Sequence, residues 1–189
     1  MLFRPLPILT VGDPRLRQVA VAVEPRDSGL GAEIGRMHAT LEHFRALHGY
    51  GRALAAPQVG IGKRVVVMNL GSEPFALLNP EIAWRSSECF EVWDDCLSIP
   101  DRIVRVQRNR SVSVAYLDQQ FRRWEWARLP SDLAELAQHE IDHLDGILML
   151  DRAWGEGAIR PIQDRAELVE AARPRRGELP AFERPRLVG

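Results

Sequence analysis

The residues with the most direct chemical use lie in one stretch, Gln138-His139-Glu140-Ile141-Asp142-His143. In a helix of about 3.6 residues per turn, side chains four positions apart lie one above the other. His139 and His143 can therefore bind one metal ion, with Glu140 beside it as a proton acceptor. The same spacing also occurs by chance on solvated helix faces. These six residues alone therefore favour a metal site but do not establish one.

The sequence around this stretch predicts the helix that the two histidines need. Pro130-Ser131-Asp132 is a typical helix start, and Gly146 is a typical stop. Between them, apolar residues recur at helical spacing, at Leu133, Leu136 and Leu144. We expect a helix from about residue 131 to residue 144.

A catalytic metal ion usually has three protein ligands and one open position, so two histidines leave one ligand to be found. The candidates are a downstream His or Glu, or an upstream cysteine. No histidine follows His143, which disfavours the zinc proteases whose third ligand is a later histidine. The residues themselves leave the third ligand open.

Composition excludes several classes of function. The 25 Lys and Arg residues balance 26 Asp and Glu residues, so the net charge of -1 gives no general attraction to nucleic acid or to an anionic membrane. Two cysteines are too few for a disulfide framework, which favours the reducing cytoplasm. Residues 1–7 lack the apolar core of a signal peptide, and no run reaches the ~20 apolar residues of a membrane span. We expect a soluble cytoplasmic protein without nucleic-acid or membrane partners.

The rest of the chain predicts an α+β fold. Residues 8–23 are expected as an extended arm, and a helix is expected from Ser28 or Gly29 to Gly49. The histidines of this helix are five residues apart, so they point ~140° from one another and cannot share a metal; they are His38, His43 and His48.

Alternating or apolar runs predict strands at residues 64–70, 75–80, 84–92, 103–106, 111–117 and 121–127. We therefore expect a mixed, largely antiparallel sheet around a central metal-binding helix. One domain is expected over residues 1–152. Residues 153–189 are expected as a C-terminal extension, packed on the domain or trailing from it, with a short helix at 161–172.

Three motifs in order give the chain its resemblance to the peptide deformylase family. Residues 51–58, Gly-Arg-Ala-Leu-Ala-Ala-Pro-Gln, resemble the G-x-G-L-A-A-x-Q motif of that family. Residues 94–98, Asp-Asp-Cys-Leu-Ser, resemble E-G-C-L-S, and residues 138–143 match Q-H-E-x-D-H. The resemblance covers roughly residues 8–152, and the family has a mixed α+β fold with the histidines on a central helix.

The resemblance implies a metal site and a reaction. It assigns the metal to Cys96, His139 and His143, with Fe²⁺ usual in the family and Zn²⁺, Ni²⁺ or Co²⁺ able to replace it. It implies hydrolysis of the formyl group on the N-terminal methionine of nascent polypeptides, a step of protein biosynthesis that releases formate. The expected substrate is an N-formylated peptide or a small formylated amine. A ribosome contact has no support in the charge pattern.

Further roles follow from the resemblance residue by residue. Glu140 is expected to carry the protons, and the Gln58 amide and the Leu97 backbone N–H to hold the oxyanion. By its local sequence alone, Gln58 is better explained as a surface residue of a tightly packed loop. Asp142 either orients neighbouring groups or is an acid on the helix surface.

The chain departs from the family pattern at both presumed edges of the substrate cleft. Ala53 replaces a glycine, Asp94 replaces a glutamate, and Asp95 replaces the glycine before the metal cysteine. In the family these edges pair with the substrate backbone, so Arg52, Ala53, Leu54 and Asp95 are expected to bind substrate. We expect Arg52 and Asp95 either to pair across the cleft or to recognise polar substrate groups; alternatively, both side chains point to solvent.

Two other functions compete with an active deformylase of nascent chains. One is an amidase for a different formylated substrate, and the other is a catalytically silent relative that binds a formylated chain or the ribosome. Glu140 and Gln58 favour activity, because a binding protein has no chemical need for a general base. A generic metalloprotease is disfavoured by the missing downstream ligand.

Overall fold

The helix at Ser131–Leu144 is the buried centre of the fold, and two antiparallel sheets contact it. The computed structural model describes residues 3–71, 73–170 and 185–188. The helices are α1 (Leu30–His48) and α2 (Ser131–Leu144). The strands are β1 (Ala53–Ala55), β2 (Val65–Met68), β3 (Phe75–Arg85), β4 (Cys89–Cys96), β5 (Ile99–Asn109), β6 (Val112–Leu117), β7 (Arg123–Trp126), β8 (Ile159–Pro161) and β9 (Arg186–Leu187).

The larger sheet has the strand order β1-β2-β3-β6-β7-β9, and the smaller sheet has the order β4-β5-β8. Every residue of α2 from Leu133 to Leu144 is buried, because the helix contacts strands of both sheets. The other face of the large sheet packs on α1 through a second apolar cluster that includes Met37, Leu41 and Leu78. This arrangement confirms the predicted α+β fold around a central helix.

The two helices end where the sequence predicts. Gly49 follows α1 with a φ of 78°, and Gly146 lies just after α2 with a φ of 73°, values that other residues adopt only with strain. The hairpin of β6 and β7 is also confirmed, with Tyr116 opposite Trp124. No helix in the described ranges is long and apolar enough to cross a membrane.

The predicted strand at residues 84–92 is wrong. The chain turns at residues 86–88 instead, so that β3 ends at Arg85 and β4 begins at Cys89. The Ser86 hydroxyl stabilises this turn by donating to the Glu88 carbonyl at 2.8 Å. The turn separates the two sheets, because β3 belongs to the large sheet and β4 to the small one.

The C-terminal extension adds strands to both sheets. β8 pairs with β5, and β9 pairs with β7. The predicted helix at 161–172 is instead a 3-10 turn at Ile162–Asp164 followed by a π-helical turn at Ala166–Glu170. Residues 171 and 172 lie outside the described residues, as does the arginine-rich run at 173–176.

Candidate metal centre and cleft

The structure brings the three predicted metal ligands together. α2 places His139 and His143 one turn apart with their Nε2 atoms 3.2 Å from each other. The Cys96 Sγ lies 3.2 Å from the His143 Nε2, and all three side chains are buried. Among the described residues, these three form the one group of His, Cys, Asp or Glu close enough to share an ion.

Cys96 lies at the end of β4, where the pairing with β5 changes register. Pairing is regular up to Asp95 opposite Ile103, and Cys96 then lies opposite Ile99, so residues 100–102 of β5 form the irregularity. Alternation along β4 puts Cys96 on the same face as Asp94, and both residues are buried, while Asp95 between them points to the other face.

Asp94 fixes the orientation of the His139 ring. Its Oδ2 lies 2.8 Å from the His139 Nδ1. An ionised carboxylate only accepts hydrogen bonds, so the proton lies on Nδ1 and the Nε2 lone pair faces Cys96 and His143. Burial opposes the charged form of Asp94, but His139 and Arg108 outweigh it and lower the pKa of the carboxyl.

The pKa shifts of the two histidines have different causes. Burial lowers the pKa of His143 and the neighbouring His139 lowers it further, so the His143 ring is neutral and able to bind a metal. Burial also disfavours a charged His139. For His139, however, Asp94 and Cys96 outweigh burial and raise the pKa of the ring.

Arg108 joins the helix to β4 behind the histidines. Its guanidinium donates to Asp94 at 3.1 Å and to Asp142, and its side chain is 3% exposed. Asp142 also accepts from Arg152 at 2.7 Å. Of the two alternatives for Asp142, the structure therefore favours the one in which it orients neighbouring groups: the carboxylate is buried and connects through Arg108 and Asp94 to His139.

Replacing Asp94 by Asn is expected to weaken metal binding. An asparagine can accept from His139 but carries no charge, and losing such a partner typically lowers metal affinity 10- to 100-fold. Competition with a chelator at pH 7 measures the effect. Asp145→Asn is the matched control, because Asp145 pairs with Arg64 just beyond α2 and is 44% exposed in its side chain. Equal affinities in the two variants would contradict the role of Asp94.

Gln58 lies inside the site and not on a loop surface. Its Oε1 accepts from the Ala55 N–H at 2.8 Å, which directs Nε2 towards the Cys96 Sγ at 3.6 Å and the Ser98 Oγ at 3.2 Å. Gln58 is 1% exposed. Leu97, between Cys96 and Ser98, is buried and lines the cleft.

Glu140 is a buried carboxylate beside the ligands, and its Oε2 has no hydrogen-bond partner within the described structure. Burial raises its pKa to about 7, and the carboxylates of Asp94 and Glu135 add to the rise while His139 and Arg52 oppose it. A group with a pKa near the working pH can both accept and donate a proton.

Of the alternatives for Arg52 and Asp95, a pair between the two side chains does not form in the described structure, and recognition of polar substrate groups stays a prediction. Arg52 turns instead to α2 and donates to Glu135 at 2.8 Å and to the Asp132 carbonyl at 3.1 Å. Asp95 accepts from Arg165 of the C-terminal extension. Neither side chain points to solvent, since the Arg52 side chain is 23% exposed and the Asp95 side chain is 9% exposed.

The cleft beside the ligands lies between β1 and β4. It is lined by Gly51, Arg52 and Ala53 from one side and by Asp94, Asp95 and Leu97 from the other, with Glu135, Leu136, His139 and Glu140 at its base. The side chain of Leu54 is fully buried in the α1 core, and Leu54 pairs with Val67 of β2, so Leu54 does not line the cleft. The substrate-binding roles of these residues stay predictions.

Sequence reasoning missed Tyr50, Arg108, Glu135 and Arg165. Arg108 and Arg165 meet their partners 34 and 70 residues away along the chain, so no local pattern could indicate them. The Tyr50 ring stacks on the Arg165 guanidinium that pairs with Asp95, which places the phenol beside the cleft. Glu135 lies one turn before His139 on α2, and this helical spacing was the sequence feature that could have placed Glu135 near the site.

The three ligand atoms fit a divalent transition metal. Ligands bound at roughly 2.0–2.3 Å to one tetrahedral ion are about 3.3–3.8 Å apart. Two separations in this cluster are 3.2 Å, and all three ligand atoms lie within 4.8 Å of one another. A thiolate with two imidazoles suits iron, cobalt, nickel and zinc. The unpaired Glu140 oxygen lies beside this cluster, where a proton acceptor is useful.

Comparison with known proteins agrees with this geometry. The family model described as polypeptide deformylase matches residues 5–157, which include all three ligands and Glu140. The chain belongs to the peptide deformylase family. The peptide deformylase of Heliobacterium modesticaldum is 45% identical over 145 residues, 77% of this chain and 91% of that protein.

Solved structures of the family have the same fold. The crystal structure of peptide deformylase from Thermotoga maritima has a TM-score of 0.73 and 37% identity, covering 80% of this chain and 99% of that one. The Met-Ala-Ser-bound class I type b enzyme from Acinetobacter baumannii has a TM-score of 0.70 and 33% identity, covering 78% and 98%. The family is metal-dependent, and this chain retains its Cys-His-His group.

Proposed function

We propose that this chain removes the formyl group from the N-terminal methionine of nascent polypeptides and releases formate. The observation that carries the proposal is the position of Glu140: a buried carboxylate with an unpaired oxygen, next to three converging ligand atoms. A metal-binding structural protein would not need this group. A silent-binding function is therefore less well supported. A metalloprotease would also need Glu140, and it is disfavoured because no histidine follows His143.

The chain supplies the proton transfer and the oxyanion contacts. When bound by Cys96, His139 and His143, a divalent ion would lower the pKa of a water and polarise the formyl oxygen. Glu140 accepts the proton of the attacking water and returns it to the departing nitrogen, which frees the amine. Gln58 Nε2 and the Leu97 N–H donate to the formyl oxygen, which becomes an oxyanion when water adds to the formyl carbon.

The edge of β1 offers backbone groups to a peptide. The Asn69 N–H donates to the Arg52 carbonyl at 2.9 Å, so Arg52 faces β2. Alternation along the strand then turns the N–H and C=O of Ala53 towards the cleft. An alanine in place of glycine keeps both groups, so a formylated chain can still pair with this edge. The Met-Ala-Ser complex of the Acinetobacter baumannii relative supports a peptide substrate.

Several finer assignments belong to the same proposal. Fe²⁺ is the proposed ion, with Zn²⁺, Ni²⁺ and Co²⁺ as replacements, because the ligand set suits all four. A cytoplasmic location is proposed from the two unpaired cysteines, Cys89 and Cys96. The domain division at residue 152 stays a prediction.

Substrate selectivity tests the proposal. Iron-loaded protein, purified without oxygen, is given formyl-Met-Ala-Ser, acetyl-Met-Ala-Ser and an internally cleavable peptide with a free amino terminus. We expect formate from the first and no product from the other two. Cleavage of the internal peptide would favour a metalloprotease. Binding of the formyl peptide without formate would favour a silent relative.

A further inference from the structure

Arg165, from the C-terminal extension, contacts both sides of the cleft. Its guanidinium pairs with Asp95, the residue before the ligand Cys96 on β4. The same guanidinium lies over the Tyr50 ring, with its carbon 4.0 Å from the ring centre. Tyr50 directly precedes Gly51 and Arg52 on the opposite side. One side chain therefore links β4 to the loop that leads into β1, the two sides between which a substrate must lie.

The extension holds Arg165 in this position. β8 pairs with β5, with Arg160 opposite Ile103, and Ile103 is in turn opposite Asp95 on β4. The chain then turns back at residues 162–164, and the turn at 166–170 contacts β4. Arg165 is 8% exposed, and the Asp95 side chain is 9% exposed. A planar guanidinium that is both paired and stacked has little freedom to move.

The strands on the two sides of the cleft, β1 and β4, each have one side without a strand partner in the described structure. β1 is the edge strand of the large sheet, and β4 is the edge strand of the small sheet. A peptide between them pairs well only if the two edges keep one separation, because backbone hydrogen bonds weaken steeply with distance. The two edges belong to different sheets, so no ladder of hydrogen bonds between strands fixes that separation.

We propose that Arg165 is a positioning residue that sets the width of the substrate cleft and so determines how well an extended formylated peptide binds. The proposal rests on the proposed function. It makes the C-terminal extension part of the binding site through Asp95 and Tyr50. The increase in KM on loss of Arg165 should be larger for longer peptides, because only residues beyond the first can pair with both edges.

The test compares Arg165→Ala with wild type on two substrates, formyl-Met-Ala-Ser and formylmethionine. We expect KM for the tripeptide to rise about tenfold, with kcat and metal content within about twofold, and the KM for formylmethionine to stay unchanged. Arg165→Lys should restore part of the loss, because it keeps the charge opposite Asp95. Arg160→Ala is the control, since Arg160 belongs to the same extension but is 51% exposed and pairs with Asp164.

Two further measurements keep the test decisive. Tyr50→Leu removes the stacked ring without leaving Asp95 unpaired, so it should raise the tripeptide KM even if Arg165→Ala folds poorly. Calorimetry of formyl-Met-Ala-Ser binding in a Glu140→Gln background measures the same loss without catalysis, which separates this inference from failure of the proposed reaction. An unchanged or lower KM and Kd, or equal losses on both substrates, would overturn the proposal.

Discussion

Glu140→Gln is expected to lower kcat on formyl-Met-Ala-Ser by about 10²- to 10⁴-fold, the range that general acid-base catalysis typically supplies. Glutamine has nearly the same shape but cannot accept and return a proton. Because Glu140 lies beside the ligands without being one of them, the metal content should stay at the wild-type value. Initial rates of formate release, with metal analysis of the same samples, measure both quantities.

The control for this change is Glu81→Gln. Glu81 is an exposed residue of β3 that pairs with Arg123 at 3.1 Å, away from the cleft. Its kcat should match that of wild type. A Glu140→Gln variant that keeps more than a tenth of the wild-type kcat, with full metal content, would show that another group carries the proton.

Arg108→Met is expected to cost about 3–5 kcal/mol of unfolding free energy, because it leaves the carboxylates of Asp94 and Asp142 buried without their shared cation. Urea denaturation of the metal-loaded protein measures this loss. Arg122→Met is the matched control, since Arg122 pairs with Asp118 but is 56% exposed and should cost about 0–1 kcal/mol.

A second variant separates charge from packing at this position. Adding Asp142→Asn to Arg108→Met removes one of the two buried carboxylates that have lost Arg108, so it should recover part of the lost stability. Similar losses in Arg108→Met and Arg122→Met would mean that the buried network contributes little. A double variant less stable than Arg108→Met alone would mean that the excess buried negative charge is not the cause.

The sequence predicted those parts of the site that depend on local periodicity. Helical spacing placed His139 and His143 together and put Glu140 beside them, and Gly146 marked the end of the helix. Cys96 was found differently, because nothing in its own neighbourhood identifies it as the third ligand. Its motif, through resemblance to the family, supplied that assignment.

The parts that could not be predicted depend on contacts between distant residues. The chain from Asp142 through Arg108 to Asp94 joins α2, β5 and β4, and alternation along a strand does not tell which partner a buried charge will meet. Arg52 and Asp95 were matched by charge and by family position alone. In the structure Arg52 pairs instead with Glu135 on α2, and Asp95 pairs with Arg165 in the extension.

The most direct test of a single metal-dependent deformylase centre is formate release as a function of bound metal. Metal-free protein is titrated with Fe²⁺ under anaerobic conditions, and initial rates on formyl-Met-Ala-Ser are plotted against metal ions bound per chain. We predict a linear rise that stops at one ion per chain, and no rise for Cys96→Ser, which removes the thiolate ligand. Formate release that is independent of bound metal, or unchanged in Cys96→Ser, would contradict the assignment of Cys96, His139 and His143 as the catalytic metal site.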